Sequence, residues 1–288
     1  MLLPGDLALL WSPERGVRYL VKVQPGASQG TQLGAVPHAL LLERSFGDVV
    51  HTHLGHPLMV LRPSLAEFCL RTKRRTQVIY PKEAGYLLMY LDIAPGATVV
   101  ECGSGSGGFT TVLAHFVGPQ GRVVSYDRRP EFQDIARNNV DRWGVGPQVT
   151  FKTKDIEEGF DETEVSAVFL DVPTPWAYLE QAKGALRPGG RLGILVPTFN
   201  QIQQSIEALR AGSWVDIEAL EIFLRHLKTN PARLRPEDSM VGHTGYLIFA
   251  SSVSPEAAQA LPWEDRPGED RPGEVPAEAP EVPRPEEG

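Results

Sequence analysis

The chain has 288 residues, 42% of them hydrophobic, with 36 acidic against 28 basic residues and a net charge of −8. That length allows one large domain beside a small one. The composition excludes a helix that spans a membrane, since no apolar run approaches the ~20 residues required, and a disulfide framework, since Cys69 and Cys102 are the only cysteines. The N-terminus lacks a basic region and meets Asp6 early, so it predicts no signal peptide and a cytoplasmic location.

The acidic charge is concentrated at one end of the chain. Residues 255–288 hold ten acidic residues, three arginines and eight prolines, a net charge of −7, so residues 1–254 carry only −1. A segment this polar and proline-rich cannot bury enough apolar surface to fold, so the sequence predicts a disordered acidic tail over 254–288.

Residues 1–63 predict a small β domain of barrel or sandwich type, because short apolar runs alternate with turn residues. The predicted strands are Leu7–Trp11, 17–23, 39–42 and 58–61. His51, His53 and His56 lie close together in this domain. No cysteine or further histidine supports a metal site there, so we expect solvated or hydrogen-bonded loop histidines and no metal.

Residues 64–253 predict a larger domain of α/β class. Ser64 is expected to cap one helix and Pro81 to begin the next. Strand and helix signals then alternate, which is typical of a doubly wound, mostly parallel sheet that binds ligands at the carboxyl ends of its strands. The predicted strands are 99–101, 122–126, 149–152, 165–170, 191–196, 214–223 and 245–250, and the predicted helices are 109–116, Pro130–Trp143, 178–186 and 202–211.

A glycine-rich turn follows the first of these strands. Gly103, Gly105 and Gly108 fit the pattern Gly-x-Gly-x-x-Gly, and an apolar-periodic helix comes next. Glycine tolerates positive φ and lets the backbone approach a ligand, while the free N–H groups of the helix face that ligand. The pattern alone does not decide which nucleotide cofactor is bound.

Acidic residues end four successive strands: Glu101, Asp127, Asp155 and Asp171. Asp127 suits a ribose diol of either NAD or S-adenosylmethionine. Glu101 places a carboxylate under the loop, which suits the cationic methionine end of S-adenosylmethionine better than a pyrophosphate. Asp155 is expected to accept a hydrogen bond from an adenine amine.

Two segments resemble motifs of the class I methyltransferases. Residues 101–107, Glu-Cys-Gly-Ser-Gly-Ser-Gly, resemble motif I, and residues 186–192, Leu-Arg-Pro-Gly-Gly-Arg-Leu, resemble the turn into the fifth strand. Three further segments, 74–82, 171–176 and 240–245, are together similar to the tRNA (adenine-58-N1)-methyltransferase family of bacterial and archaeal type. The similarity covers about residues 1–250. Thr174, Glu83 and Asp127 depart from the residues usual in that family.

The resemblance implies a Rossmann-like methyltransferase sheet, S-adenosylmethionine as cofactor, and a homotetramer that methylates T-loop adenosine in tRNA. The cofactor-binding candidates are Gln77, Glu101, Gly103, Ser104, Gly105, Ser106, Gly107, Asp127, Asp155 and Asp171. Asp171 and Tyr80 are the catalytic candidates: a carboxylate would hold the adenine amine and stabilise the cation that forms, and an aromatic ring would stack on the extruded base. The structural alternatives are that Asp171 only caps the next turn and that Tyr80 is a core residue.

The candidate tRNA contacts are the basic residues Arg71, Lys73, Arg74 and Arg75. The alternative interpretation of this basic run is an ordinary solvated surface. Two other functions remain open: a methyltransferase that acts on DNA adenine, protein or a small molecule, and a tRNA-binding subunit without activity. An NAD oxidoreductase is least favoured, as no hydride-transfer constellation is visible. The sequence leaves open whether adenosine 57 is also modified.

Overall fold

A computed structural model describes residues 1–75 and 77–260. The N-terminal domain is a four-stranded antiparallel sheet of order β2-β1-β6-β5 with an added β3–β4 hairpin. Leu10, Val21 and Val60 lie in its core. Its elements are β1 (Leu7–Trp11), β2 (Arg18–Lys22), β3 (Ser28–Thr31), β4 (Gly34–Pro37), α1 (His38–Leu42), β5 (Val49–His51) and β6 (Pro57–Leu61).

One predicted strand of this domain is wrong. Residues 39–42 lie in helix α1, which follows the extended Pro37 and buries His38 and Leu41 one turn apart. Alanine and leucine favour helix, and the predicted pattern of four apolar residues is equally compatible with a buried helical turn. His53 is a hydrogen-bonded loop histidine, since its Nδ1 accepts the N–H of Ala35 at 2.7 Å.

The larger domain contains a seven-stranded sheet of order β12-β15-β11-β10-β7-β8-β9, in which only β15 runs antiparallel to its neighbours. This confirms the predicted Rossmann-like sheet. Its strands are β7 (Thr98–Cys102), β8 (Arg122–Asp127), β9 (Val149–Thr153), β10 (Val165–Leu170), β11 (Leu186–Val196), β12 (Trp214–Leu220) and β15 (Tyr246–Ser252), and a separate hairpin of β13 (Leu227–Lys228) and β14 (Arg235–Pro236) precedes β15.

Helices cover both faces of the sheet. They are α2 (Leu65–Arg71), α3 (Pro81–Tyr90), α4 (Gly108–Val117), α5 (Pro130–Trp143), α6 (Leu179–Ala185) and α7 (Phe199–Ala211). Ser64 caps α2 in a capping box with Glu67, and Pro81 is the first residue of α3, both as predicted. Val99 and Val100 belong to different core clusters because successive residues of a strand face opposite sides.

Strand β11 and the C-terminal end of the described chain differ from the prediction. Strand β11 begins at Leu186 rather than at residue 191, because residues 187–190 bulge out of the register between Leu186 and Arg191. Helix α8 (Pro255–Ala260) occupies part of the segment that was predicted to be disordered, so that prediction is wrong for these six residues. The rest of the predicted tail lies outside the described residues. Within the described part of the chain, no helix is long and apolar enough to cross a membrane.

Parallel strands bring their carboxyl ends to one edge of the sheet. Residues 102–103, 127, 155 and 171 therefore lie near each other although they are far apart in the chain. The N-terminal domain packs against the outer side of α5, where the Arg142 guanidinium donates a hydrogen bond of 3.1 Å to the carbonyl of Leu20. The candidate site is therefore built by the larger domain.

Candidate active site

A cleft of about 360 Å³ opens at the carboxyl edge of the sheet. Gly103, Asp127, Asp155 and Asp171, four of the residues predicted from the sequence, line it together. The prediction missed three cationic residues in the same wall, Arg128, Arg129 and Lys154, together with Ile156, Val172, Thr174 and Tyr178. The three cations directly flank Asp127 and Asp155 in the sequence, and this adjacency is the signal that could have found them.

The glycine-rich loop is shaped by close packing within the protein. Gly103 has φ +99°, and a Cβ there would lie 2.3 Å from the carbonyl oxygen of Asp171. Gly107 has φ +74°, and a Cβ would lie 2.6 Å from Cα of Ala136 in α5. Gly105, at φ +49°, also adopts the left-handed conformation. The first and last of these glycines thus let the loop pass against β10 and α5.

Glu101 lies beneath the loop, as predicted, but it is 1% exposed and is not among the residues that line the cleft. Its Oε2 accepts hydrogen bonds from the hydroxyls of Thr110 at 2.6 Å and Ser125 at 2.5 Å. The Ser125 hydroxyl is also 2.7 Å from that of Ser104 in the loop. Burial raises the pKa of Glu101 to about 8, against the lowering effect of both hydroxyls. Glu101 therefore supports the loop from below in this structure.

Asp171 follows the last residue of β10 and lies exposed on the cleft wall. Its backbone N–H donates a hydrogen bond of 2.8 Å to the carbonyl of Cys102, which fixes the start of the loop that carries it. Loss of hydration within the cleft, and then the nearby Asp127 carboxylate, raise the pKa of Asp171 to about 6. The carboxyl group is therefore mostly ionised at neutral pH, with a negative charge that would be stabilised by a cation in the cleft.

Asp127 and Asp155 are held by local backbone contacts. Oδ1 of the 6% exposed Asp127 accepts the N–H of Arg129 at 3.0 Å, and the Arg129 Nε lies 3.5 Å from the same oxygen. Oδ1 of Asp155 accepts the N–H of Glu157 at 3.1 Å, at the start of the 3-10 helix Ile156–Glu158. Both carboxylates are thus oriented at the cleft before any ligand binds.

The side chains that line the cleft fit S-adenosylmethionine. The carboxylates of Asp127 and Asp155 can accept hydrogen bonds from hydroxyl and amine groups of a ligand, and Ile156 and Val172 offer apolar contact for a ring. The carboxylates of Asp127, Asp155 and Asp171 also complement a positively charged ligand. A glycine turn opens helix α4, whose first N–H groups lack partners within the helix.

Seven of the predicted catalytic and cofactor-binding residues do not line the cleft: Gln77, Tyr80, Glu101, Ser104, Gly105, Ser106 and Gly107. Gln77 is exposed on the segment before α3, and the half-buried Tyr80 is the N-cap residue of that helix. The carbonyl of Tyr80 accepts the N–H of Ala84, so its backbone is fixed by the helix. Stacking of Tyr80 on an extruded base stays a prediction.

The basic segment Arg71–Arg75 is joined to the glycine loop. Lys73, Arg74 and Arg75 are exposed, whereas Arg71 is half-buried at the end of α2. The N–H of Arg75 donates to the Ser106 hydroxyl at 3.2 Å. Asn139 of α5 reinforces this junction by donating to the carbonyls of Lys73 at 2.9 Å and Ser106 at 2.8 Å. Sequence reasoning missed Asn139, whose position inside a helix carries no motif.

Segment 240–245 is joined to Glu83, the residue that follows segment 74–82. Thr244 donates its hydroxyl to the buried carboxylate of Glu83, and the Lys82 ammonium pairs with the same carboxylate and bonds to the carbonyl of Ile222. Segment 240–245 is thereby fastened to the first turn of α3. These residues organise the wall of the domain beside β15 without lining the cleft.

Comparison with known proteins gives one consistent family. A family model described as the tRNA methyltransferase complex GCD14 subunit matches residues 58–235. The chain is 37% identical to the tRNA (adenine(58)-N(1))-methyltransferase TrmI of Thermus thermophilus over 246 residues, which span 85% of this chain and 96% of that protein. It is 34% identical to a tRNA (adenine(57)-N(1)/adenine(58)-N(1))-methyltransferase of Methanocaldococcus jannaschii, over 84% of this chain and 94% of that protein.

Solved structures agree in fold. A tRNA (m1A58) methyltransferase TrmI from Aquifex aeolicus superposes with a TM-score of 0.77 at 31% identity, over 88% of this chain and 99% of that chain. A protein described as a SAM-dependent O-methyltransferase from Thermotoga maritima superposes with a TM-score of 0.84 at 40% identity, over 88% of this chain and 95% of that chain.

Proposed function

The chain belongs to the tRNA (adenine-58-N1)-methyltransferase family, and from this premise we propose that it transfers a methyl group from S-adenosylmethionine to ring nitrogen N1 of adenosine 58 in the T-loop of tRNA. The observation that carries the proposal is the placement of Asp171. Its carboxylate stands on the wall of the cleft that fits the cofactor, at the end of the central strand β10.

Asp171 suits a reaction at a ring nitrogen that already has a free lone pair. Adenine N1 needs no strong base to become a nucleophile, and its methylation produces a cation that is shared with the exocyclic amine. A carboxylate that accepts hydrogen bonds from this amine orients the base and stabilises the positive charge as it develops. With a pKa of about 6, Asp171 is ionised at neutral pH and ready for that role.

S-adenosylmethionine supplies an electrophilic methyl group on a sulfonium when it is bound. We assign Asp127 to its ribose hydroxyls and Asp155 to its adenine amine, since both carboxylates are oriented at the cleft by backbone N–H groups. The loop 103–107 holds the methionine end, and Glu101, Ser104 and Ser106 shape this loop through their buried hydrogen bonds. Gln77 remains a proposed contact from the segment before α3.

The basic segment Arg71–Arg75 is the proposed contact for the tRNA backbone. Three of its cations are exposed, and the segment is tied to the cofactor loop at Ser106. Lys and Arg side chains on phosphates supply affinity without reading sequence. This arrangement would bring the tRNA close to the carboxyl edge of the sheet.

Mapping the modified nucleotide tests the proposal directly. The protein is incubated with an unmodified tRNA transcript and methyl-labelled S-adenosylmethionine, and the product is digested and sequenced by mass. Label at N1 of adenosine 58 is the expected result. Label in DNA or protein, or tRNA binding with no label transferred, would overturn it in favour of another methyltransferase or a binding subunit. Label at adenosine 57 as well would widen the substrate.

Methylation of an oxygen acceptor is the second candidate, because the Thermotoga maritima neighbour is described as an O-methyltransferase. A hydroxyl acceptor must lose its proton, and a carboxylate with a pKa of about 6 is a weak base for that task. Methylation at adenine N1 does not require Asp171 to remove a proton, because N1 already has a free lone pair. The mapping experiment separates the two, since an oxygen-linked methyl group would be found on the ribose or on another hydroxyl.

We also propose a homotetramer that works in the cytoplasm, where its tRNA substrate is found. Large apolar side chains are exposed on the segment between β12 and β15, which supports a subunit contact there. They are Phe223, Leu224, Leu227, Leu234, Met240 and Val241. Light scattering of the full chain measures the mass, and a monomer at micromolar concentration would contradict the tetramer.

A further inference from the structure

Three aromatic rings form a continuous surface at the carboxyl edge of the sheet, outside the cofactor cleft. The Phe199 and Tyr246 ring centroids are 4.8 Å apart, and those of His243 and Tyr246 are 4.6 Å apart. Phe199 is 72% exposed, and 45% of the His243 side chain is exposed. We call these three residues the aromatic shelf.

The aromatic shelf is held rigidly next to the loop that follows Asp171. Phe199 is the first residue of α7, and Thr198 caps that helix. The side chain of Gln201, one turn into α7, accepts a hydrogen bond of 2.7 Å from the Thr198 hydroxyl. Its amide nitrogen donates a hydrogen bond of 2.9 Å to the carbonyl of Pro173. Pro173 is two residues after Asp171, so the N-terminus of α7, which carries Phe199, is joined to the loop of the proposed catalytic carboxylate.

His243 lies between two hydrogen-bond acceptors at the rim of the shelf. Its Nε2 faces the carbonyl of Pro197 at 2.9 Å, and its Nδ1 faces the carboxylate of Glu221 at 2.8 Å. Both partners are acceptors, which favours the doubly protonated ring. The contact with Glu221 raises the pKa of His243.

Sheet order places the shelf on the acceptor side of the site. The cleft lies over the ends of β7, β8, β9 and β10, whereas the shelf lies over the ends of β11 and β15. Asp171 is on the boundary between the two. A cofactor held in the cleft, as proposed, would leave the shelf side of Asp171 for the acceptor nucleotide.

From this geometry, and resting on the proposed function, we propose that the aromatic shelf stacks an unpaired base of the tRNA strand that carries the target adenosine. Exposed aromatic rings beside a cation are the usual surface for single-stranded or extruded bases, because every base has a π-face. The shelf would hold the neighbouring nucleotide while the target base reaches Asp171. Met89, which is 83% exposed at the opposite edge of the sheet near Arg191, is an exposed apolar residue away from the shelf and serves as the control.

The test compares Phe199→Leu, Phe199→Tyr and Met89→Ala with the full wild-type chain. The measurements are affinity for an unmodified tRNA transcript without cofactor, affinity for S-adenosylmethionine, and KM and kcat for tRNA. Phe199→Leu should lose about tenfold in tRNA affinity and gain as much in KM, the size of one lost stacking contact. Phe199→Tyr should restore both values, and Met89→Ala and cofactor affinity should not change.

Wild-type values in Phe199→Leu would overturn the proposal, and so would a changed molar mass, which would make the shelf a subunit contact. Fluorescence of a 2-aminopurine placed beside adenosine 58 gives a second measurement: the wild type should quench it on binding and Phe199→Leu should not. Failure of the wild type to methylate tRNA would instead refute the proposed function, since tRNA binding is measured separately.

Discussion

The hydroxyl of Thr72 donates a hydrogen bond of 2.6 Å to Oδ1 of Asn139, and both side chains are buried, at 5% and 4% exposure. The nitrogen of the same amide donates to the carbonyls of Lys73 and Ser106. One side chain of α5 thus supports both the basic segment Arg71–Arg75 and the glycine-rich loop. The proposed tRNA contact and the proposed cofactor contact share a single anchor.

Replacing this anchor should weaken both functions together. Asn139→Ala removes the acceptor of the buried Thr72 hydroxyl and the amide donor to the carbonyls of Lys73 and Ser106, so we expect a loss of about 2–3 kcal/mol in unfolding free energy. Affinities for S-adenosylmethionine and tRNA should both fall. Urea unfolding, calorimetry and a tRNA binding assay measure the three quantities.

Asn138→Ala is the matched control. Asn138 is the exposed neighbour in α5, and its amide donates only to the carbonyl of Asp134 in the same helix among the bonds seen here. It should leave all three quantities near wild type. An Asn139→Ala protein that loses tRNA affinity alone would show that the two contacts are independent.

Reversing charge in the basic segment should weaken tRNA binding selectively. In Arg74→Glu/Arg75→Glu, two exposed cations become anions, so we expect at least a tenfold loss of tRNA affinity at low salt and a shallower dependence on salt. Cofactor affinity should be retained. Arg122→Glu/Arg187→Glu makes the same charge change at the amino edge of the sheet. Equal tRNA affinity in the two double variants would make the segment an ordinary solvated surface.

A β-branched residue in the glycine loop should weaken cofactor binding. Gly105 has φ +49°, a conformation that valine strongly disfavours. The strain should cost Gly105→Val about tenfold or more in S-adenosylmethionine affinity. Gly47→Val is the control, since Gly47 has φ +97° with open space around it in the N-terminal domain. Unchanged calorimetric affinity in a folded Gly105→Val protein would remove this loop from the cofactor site.

The sequence predicts elements well where a periodic apolar pattern and a capping residue agree. The boundaries of α5 and β10 match the prediction, and Ser64 and Pro81 begin the helices expected of them. Strand β3 was missed because Ser28–Thr31 contains no apolar residue: it is held by its backbone pairing with β4 and by the Thr31 hydroxyl, which donates to the carbonyl of Gly34 at 2.6 Å. Residues 39–42 were misassigned because four apolar residues have no readable period.

The candidate site was predictable only as far as the topology of the sheet determines it. Four acids at strand ends identified Asp127, Asp155 and Asp171, because parallel strands place their carboxyl ends together. The roles of Glu101 and Gly103 needed coordinates. Oε2 of Glu101 accepts hydrogen bonds from two hydroxyls below the loop. A Cβ at Gly103 would clash with the carbonyl oxygen of Asp171. Contacts across the fold, such as those of Asn139, leave no local pattern to read.

Glu101 should make the stability of the cofactor-free protein depend on pH. Its pKa is about 8 in the folded chain and near the ordinary 4.5 when unfolded. Between these two pH values the folded state holds one proton more than the unfolded state. The contribution of Glu101 to stability is therefore fully present below about pH 4.5 and is lost as pH rises toward 8, by about 1.4 kcal/mol per pH unit at most. Glu101→Gln removes this slope.

Urea unfolding of the wild type and Glu101→Gln at pH 5.5 and pH 8 measures the effect. Relative to the wild type, Glu101→Gln should have a higher unfolding free energy at pH 8 than at pH 5.5. Glu162→Gln, which changes a less buried carboxyl that pairs with Lys152, is the control for a general effect of lost acid. Parallel pH profiles for wild type and Glu101→Gln would mean that Glu101 is ionised in the folded protein.

Asp171 should set both the rate and its dependence on pH. Asp171→Asn keeps the size of the side chain and one acceptor but removes the charge, so we expect a loss of roughly a hundredfold in the single-turnover rate at saturating tRNA and cofactor. Asp171→Ala should be slower still, because no acceptor remains for the adenine amine. In the wild type the rate should fall as pH drops through about 6, where the carboxylate takes up its proton.

Asp216→Asn removes a carboxylate of the same size at the opposite edge of the sheet, and it should leave the rate and its pH profile intact. The Asp171→Asn protein should also lose the decline near pH 6, because an amide does not titrate there. The rate of Asp171→Asn separates an electrostatic role from a positioning role, since asparagine would replace a residue that only orients the base with little loss of rate. An Asp171→Asn protein with a near wild-type rate, while still binding tRNA and cofactor, would therefore refute charge stabilisation by Asp171.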